Sequence, residues 1–335
     1  MKKYFLLILV ALITTGGCKK HSGKKVVVVY TSTDQVFSEP VLKAFEKKTG
    51  IEVKMVFDTE ESKSTGLVNR LIAEKNSPQC DVFWSNDPLR VEILKQKGIL
   101  QPYHSPSAEG IPEKFHDPQW YWTGFSGRIR VILVNTSLVK NNYPESVTEL
   151  IDRKWYGQFS IANPLFGTTS FHIASLFVLW GDTRAKEFLE EMKKNGLKMA
   201  SSNGEVAKWV AMGKVRWGFV DSDDAFSMIR EGYSVKMIIP DQKGMGTLLM
   251  PNAVAMIKNC PHPETARKLI DFLLSEEAEK MLAYETCHQI PLHSGLTLPQ
   301  GVPDISKIKT MDVSYPAVGK KMLEILPYLK KWVSH

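Results

Sequence analysis

Val26-Val27-Val28-Val29-Tyr30, followed by Thr31-Ser32-Thr33-Asp34-Gln35, is the stretch that decides the fold. An unbroken apolar run suits a strand covered on both faces, as in parallel sheets flanked by helices. The polar residues behind it form a loop at the strand's carboxyl end. Pro40 then stands near the start of a helix that carries Val41, Leu42 and Phe45 on one face and stops at Gly50. Ile51, Val53, Met55 and Phe57 alternate with polar residues, which spells a second strand. The order strand, loop, helix, strand is a βαβ opening, and its first loop lies where α/β sheets bind ligands.

The same pattern runs outward from there. The sequence predicts a helix over 65–76, a strand at Asp81-Val82-Phe83-Trp84, the loop Ser85-Asn86-Asp87-Pro88 and a helix to Gly98. Phe125 to Asn135 reads as a long strand crossing between two halves. Ser160-Ile161-Ala162 opens a second α/β set, and Gly167-Thr168-Thr169-Ser170 precedes a helix bearing Ile173, Leu176, Phe177 and Trp180. Helix is expected over 204–212, strand over 215–220 and 235–239, and a returning strand over 252–258. Glu264 to Ala283 has the clearest helical spacing, and Val318, Met322, Ile325, Leu329 and Trp332 form a last stripe broken by Pro327. Two α/β sets with two connections predict a two-lobed α/β protein that closes on a ligand by a hinge.

With 335 residues, 43% hydrophobic and 24% charged, the chain is long enough for two well-filled cores. The net charge of +7 is spread over helical faces among acids, with no basic run interleaved with aromatics, which argues against nucleic acid as a partner. Met1-Lys2-Lys3, an apolar stretch from Tyr4 to Ile13 and small residues ending at Cys18 form a secretory signal over residues 1–17. Cys18 stands where a lipobox cysteine is acylated, although Thr15 departs from the usual aliphatic residue. Residues 18–25 are then a lipidated polar tether holding the domain to a membrane surface. Cys80, Cys260 and Cys287 remain, an odd number without a C-x-x-C pair, so a thiolate zinc site is not expected. Three buried thiols is the favoured state, with Cys260–Cys287 as the alternative disulfide.

No catalytic constellation stands out: the chain has no G-x-S-x-G, H-E-x-x-H or Walker loop, and its eight histidines are scattered. Polar loops at strand ends recur instead. Thr33 and Asp34 follow the first strand and Asn86 the third. Thr168 and Thr169 sit at a helix start, where free N–H groups suit an anion. Asp221-Ser222-Asp223-Asp224 places three carboxylates at the mouth of a buried strand; it serves either a ligand or the N-terminus of the next helix. Arg128 and Arg130 alternate on the crossing strand, one expected to face the cleft and the other solvent.

Further residues carry a family likeness: Phe45 to Val53 (F-x-x-x-T-G-I-x-V), Asp81 to Trp84, Gly124 to Val131, Asn163-Pro164 with Gly167 to Thr169, Trp217 to Asp221, Pro251 to Ala255, and His262 to Ser275 (H-P-E-x-A-x-x-L-I-D-F-L-L-S). On these the chain resembles the ferric-iron-type family of periplasmic solute-binding proteins of ABC importers. The resemblance implies two α/β lobes of the type II periplasmic binding protein fold, a ligand cleft between them, and a permease and ATPase as partners. Where family members place adjacent tyrosines on ferric ion, this chain has Asp223 and Asp224. The family's first-lobe acid falls near Asn86 with Asp87 beside it, and its first-loop histidine is replaced by Asp34 or Gln35. Carboxylates are hard donors, so Asp34, Asp223 and Asp224 form a candidate metal set. Relatives that bind hexose phosphates or aminophosphonates make Arg128 with Thr168 to Ser170 the rival, anion-binding set.

The resulting expectation is an exported, membrane-anchored, monomeric binding protein with no enzymatic activity and no resident cofactor, ferric ion being cargo. Its ligand-binding residues are Thr33, Asp34, Asn86, Arg128, Thr168, Thr169, Asp223 and Asp224. The first lobe comprises residues 26–128 and 251–300, the second 129–250 and 301–335. A ligand-presenting partner of a membrane sensor kinase is the alternative from another class.

Overall fold

A computed structural model describes residues 25–58 and 66–334. The expected signal segment and the acylated Cys18 lie outside the described residues. Strand β1 (Val26–Thr31) leads through helix α1 (Gln35–Thr49) to β2 (Glu52–Phe57), which pairs parallel to β1. Pro40 lies inside α1, and Gly50 ends it with φ 69, a left-handed cap that a side chain would disfavour. Next come α2 (Gly66–Ala73), β3 (Val82–Ser85), α3 (Pro88–Gln96) and the short β4 (Leu100–Gln101). Strand β3 lies parallel to β1 on its other side, so the opening βαβ unit is built as the residue pattern requires.

Strand β5 (Thr123–Asn135) is buried along its whole length. The second set follows: β6 (Phe159–Ala162), α4 (Gly167–Trp180), α5 (Asp182–Lys194), β7 (Lys198–Ala200), α6 (Asn203–Ala211), β8 (Trp217–Asp221), α7 (Ser222–Arg230) and β9 (Val235–Ile238). Here β6 pairs parallel with β7 and β8. Strand β10 (Leu249–Ile257) runs antiparallel to both β3 and β5. The sheet order is β2-β1-β3-β10-β5-β8-β6-β7, with β4 on β10 and β9 on β5. Strand β5 therefore belongs to both halves: Thr123 to Ile129 pair with β10, and Arg130 to Val134 with β8. This is the two-lobed α/β architecture.

The junction is kinked. The β10 register shifts between Pro251 and Asn252, and Ser126 in β5 takes φ 34. The buried Glu279 carboxylate accepts the Ser126 N–H together with those of Leu292 and His293, so the turn in β5 is fixed by a charged acceptor.

Two sequence expectations are corrected. Residues 264–283 do not form one helix: α8 (Pro263–Leu273) stops at Leu274, and Ser275 caps α9 (Glu276–Tyr284) by accepting the Ala278 N–H. Hydrophobic spacing continues across the break, so periodicity alone does not reveal it. Arg130 does not face solvent; it is 1% exposed. The final helix α10 (Tyr315–Ser334) packs on both α3 and α4. Cys80, Cys260 and Cys287 are buried free thiols. Among the described residues no helix is long and apolar enough to cross a membrane.

Candidate functional site

The strand ends of both halves open on one cavity of about 460 Å³. Thr33 and Asp34 reach it from the loop after β1, Asn86 from the loop after β3, and Arg128 from β5. Thr168 reaches it from the start of α4, and Asp221, Asp223 and Asp224 from the end of β8 and the first turn of α7. Of the ligand-binding residues expected from sequence, only Thr169 does not line it. Its hydroxyl is turned behind the wall toward Asn203 Oδ1, at 3.1 Å.

Asp221 is the hub. It lies directly across the β5–β8 ladder from Arg130 and receives Nη1 of that residue at 2.7 Å. Arg128, two residues along the same strand and so on the same face, places Nε 3.2 Å from the other carboxylate oxygen. Thr168 donates its hydroxyl to that second oxygen at 2.7 Å. Burial pushes the Asp221 carboxyl up, but the charges of Arg130 and Arg128 outweigh it and hold the group below the usual range. Although Asp221 occupies the N-cap position of α7, its side chain makes no capping bond. Arg128 also donates Nη1 to the Asn86 carbonyl at 2.8 Å, so it ties the β3 loop to the end of β8.

For Asp223 and Asp224 the pull of Arg128 and Arg130 is too weak to offset burial. Their carboxylates lie with that of Asp221 within 4.8 Å of one another, and among the described residues neither forms an ion pair. Burial, then the Asp221 charge, pushes Asp223 up to about 6. Burial, then Asp223, pushes Asp224 well above the carboxylate range. Such groups hold their protons or take a cation. Four helix N-termini also open here: α1 at Asp34, α4 at Gly167, α6 at Asn203 and α7 at Asp221. Each contributes roughly half a positive charge. These positive poles act beside Arg128 in opposing the acidic residues of the wall.

Asn163, Ser201, Ser202, Asn203, Phe37, Phe166 and Gln289 also line it, with Ala162, Gly167 and Gly204 between them. None of these was singled out as a ligand residue from sequence. The S-x-x-E pattern of Ser202 and Glu205 was available as a helix-start signal, and Ser202 does accept the Glu205 N–H. Gln289 follows α9 in an irregular segment and has no sequence signal. His172 is a core residue on the Phe219 ring, and burial, then Arg130, pushes it down to about 3.

A model of the family described as bacterial extracellular solute-binding proteins matches residues 77–311. The chain belongs to that family. This solute-binding protein is 29% identical over 303 residues to iron uptake protein A1 of Synechocystis sp., covering 87% of this chain and 82% of that one. Its fold matches the apo ferric ion-binding protein A of Pasteurella haemolytica with TM-score 0.83 at 24% identity, over 92% of this chain and 98% of the other. The periplasmic binding protein AfuA of Actinobacillus pleuropneumoniae, with exogenous fructose-6-phosphate bound, matches with TM-score 0.77 at 25% identity, over 93% and 98%. The fold comparisons place the chain among two-lobed periplasmic binding proteins, in agreement with the resemblance read from its residues.

Proposed function

We propose that this protein is the solute-binding component of an ABC importer and that its cargo is ferric ion or a related hard cation. Asp223 and Asp224, with Asp34 from the other wall, form the metal set. One observation carries this reading: two adjacent carboxylates share a cavity wall where burial and their mutual repulsion outweigh the pull of Arg128 and Arg130 and raise both in pKa. A cation relieves their repulsion as a surface residue could not, and carboxylates are hard donors suited to ferric ion. The 29% identical relative is named as an iron uptake protein, which supports the same cargo.

The second reading, a small anionic solute such as a sugar phosphate or phosphonate, draws on the four helix N-termini and on the fructose-6-phosphate relative. Against it, the guanidinium donors that would grip a phosphate are engaged: Arg128 and Arg130 both serve Asp221. Export and acylation at Cys18, a monomeric state, the absence of catalysis and the lobes 26–128 with 251–300 and 129–250 with 301–335 belong to the same proposal. Calorimetric titration of the ligand-stripped protein with ferric citrate and with fructose-6-phosphate tests the cargo. Heat is expected with ferric citrate and is expected to vanish in the Asp223→Asn/Asp224→Asn double variant. Binding of the sugar phosphate alone overturns the cation reading. Neighbouring genes for a permease and ATPase, rather than a sensor kinase, would identify the partner.

A further inference from the structure

His293 is 8% exposed and follows α9 in the segment whose Ile290 exchanges both backbone hydrogen bonds with Gly127 of β5, at 2.7 and 2.8 Å. Its Nδ1 lies 2.8 Å from a Glu279 carboxylate oxygen. Its Nε2 lies 3.1 Å from the Glu109 carbonyl, on the loop between β4 and β5. A carbonyl oxygen only accepts. The Glu279 carboxylate already accepts the backbone N–H groups of Ser126, Leu292 and His293, which fixes it as an acceptor too. Both ring nitrogens therefore carry hydrogen, and the ring is an imidazolium. The charged groups facing it are Glu279 and Glu276 of α9. The loop opposite presents the Glu109 carbonyl, and the β5 kink presents Ser126 and Gly127, which do not titrate. The hydrogen bond to Glu279 outweighs burial and holds His293 above the ordinary histidine value.

We infer that His293 is a positioning residue whose proton holds the kink of β5, and that losing this proton lets the cavity walls move apart. Neither neutral tautomer serves both contacts. With hydrogen on Nδ1 the Glu109 carbonyl loses its donor, and with hydrogen on Nε2 a lone pair faces the Glu279 carboxylate. Either loss slackens the segment paired to Gly127, one residue before Arg128. Arg128 ties the β3 loop to the end of β8, so its direction depends on this kink. The device lies in the strand that both halves share and acts whatever the cargo. Its sign follows from a folded pKa above the ordinary 6.5. The contribution is fully present below that value and is lost as pH rises through the higher folded one. The walls are therefore held together on the acid side.

Three readouts on the full, ligand-stripped chain test this. Nuclear magnetic resonance of isotope-labelled histidine is expected to show both His293 ring nitrogens protonated at about pH 7. Protection of the Ser126 and Leu292 amides, corrected for the intrinsic pH dependence of exchange, is expected to fall about tenfold between about pH 6 and about pH 9. The radius of gyration by X-ray scattering is expected to grow over the same range. In His293→Gln these amides should show low protection that stays flat with pH. Asp223 and Asp224 titrate in both proteins, so the His293 contribution to expansion is the difference between them. Should His293→Gln not fold, His293→Lys, which keeps a cation throughout, takes its place and should expand less than the wild type. A ring already neutral at about pH 6 overturns the inference. So does unchanged protection of both amides while His293 titrates. If protection falls but the wild type expands no more than the variant, the clamp is local and the claim about the walls is overturned.

Discussion

At the scale of single residues, the Asp221 cluster divides its carboxylates by their neighbours. Asp221 is bound by two guanidiniums and a hydroxyl, whereas Asp223 and Asp224 feel Arg128 and Arg130 only weakly against burial and their neighbouring carboxylates. Asp221→Asn should cost about 3–5 kcal/mol in urea unfolding, because it strands two buried arginines without a charge partner. Asp223→Asn/Asp224→Asn should do the reverse to the ligand-stripped protein. Carboxyls whose folded pKa is raised bind more protons in the native state than in the unfolded chain. Their contribution is fully present below pH 4 and is lost as pH rises through about 6 and, for Asp224, beyond. The double variant should therefore melt with the wild type at pH 4 and above it at pH 7, each kcal/mol appearing as roughly 2–4 °C. A difference that does not grow with pH would contradict the assignment. The three acids were legible in the sequence as a cluster. The role of Arg130 was not, because alternation puts Arg128 and Arg130 on one face but does not say that Asp221 lies across the ladder. Gln289 was invisible, since its position follows from Asn252, a contact formed only in the folded chain.

Among elements, those with a simple periodicity were the legible ones. Strand β1 and helix α1 follow from four valines and from Val41, Leu42 and Phe45, all buried except Val26 and Val28, which are half-buried. The α8–α9 break was missed because Leu269, Leu273 and Leu282 keep apolar spacing on both sides, while the stop depends on the Ser275 cap. Strand β5 was found from its apolar length, but its kink depends on local close approach. A Cβ on Gly127 would lie 2.9 Å from the Met250 carbonyl oxygen and 3.1 Å from the Pro251 Cα, both backbone atoms of β10. Gly127→Ala must therefore separate the two crossing strands or distort one of them. The expected cost is about 1–3 kcal/mol by thermal or urea unfolding, with amide exchange accelerated first along the β5–β10 ladder. Retained stability and unchanged exchange there would show that the close approach is not needed.

For the whole molecule, the sequence carried the two-lobed plan but not the groups that span it. Arg128 is one, joining Asp221 beyond β8 to the Asn86 carbonyl beyond β3. Tyr315 is another. Its hydroxyl donates to the Leu249 carbonyl at 2.8 Å, and its ring lies among Phe115 and Trp122 from the segment before β5, and Phe171 of α4. The Tyr315 joint is buried away from the cavity, between side chains of the two proposed lobes. The Arg128 contact sits in the cleft, so separating them breaks it. Arg128→Met keeps an unbranched apolar stem and removes the guanidinium with both its hydrogen bonds, which removes attraction between the walls. The ligand-stripped variant should have a larger radius of gyration by solution X-ray scattering than the ligand-stripped wild type. Saturating ferric citrate should bring the two closer together, because in the proposed cation reading the bound metal joins the walls through Asp34 and Asp223. If both proteins gave the same profile in both conditions, Arg128 would be no more than part of the Asp221 charge balance, and closure would have to be governed by contacts outside the cleft, such as the Tyr315 joint.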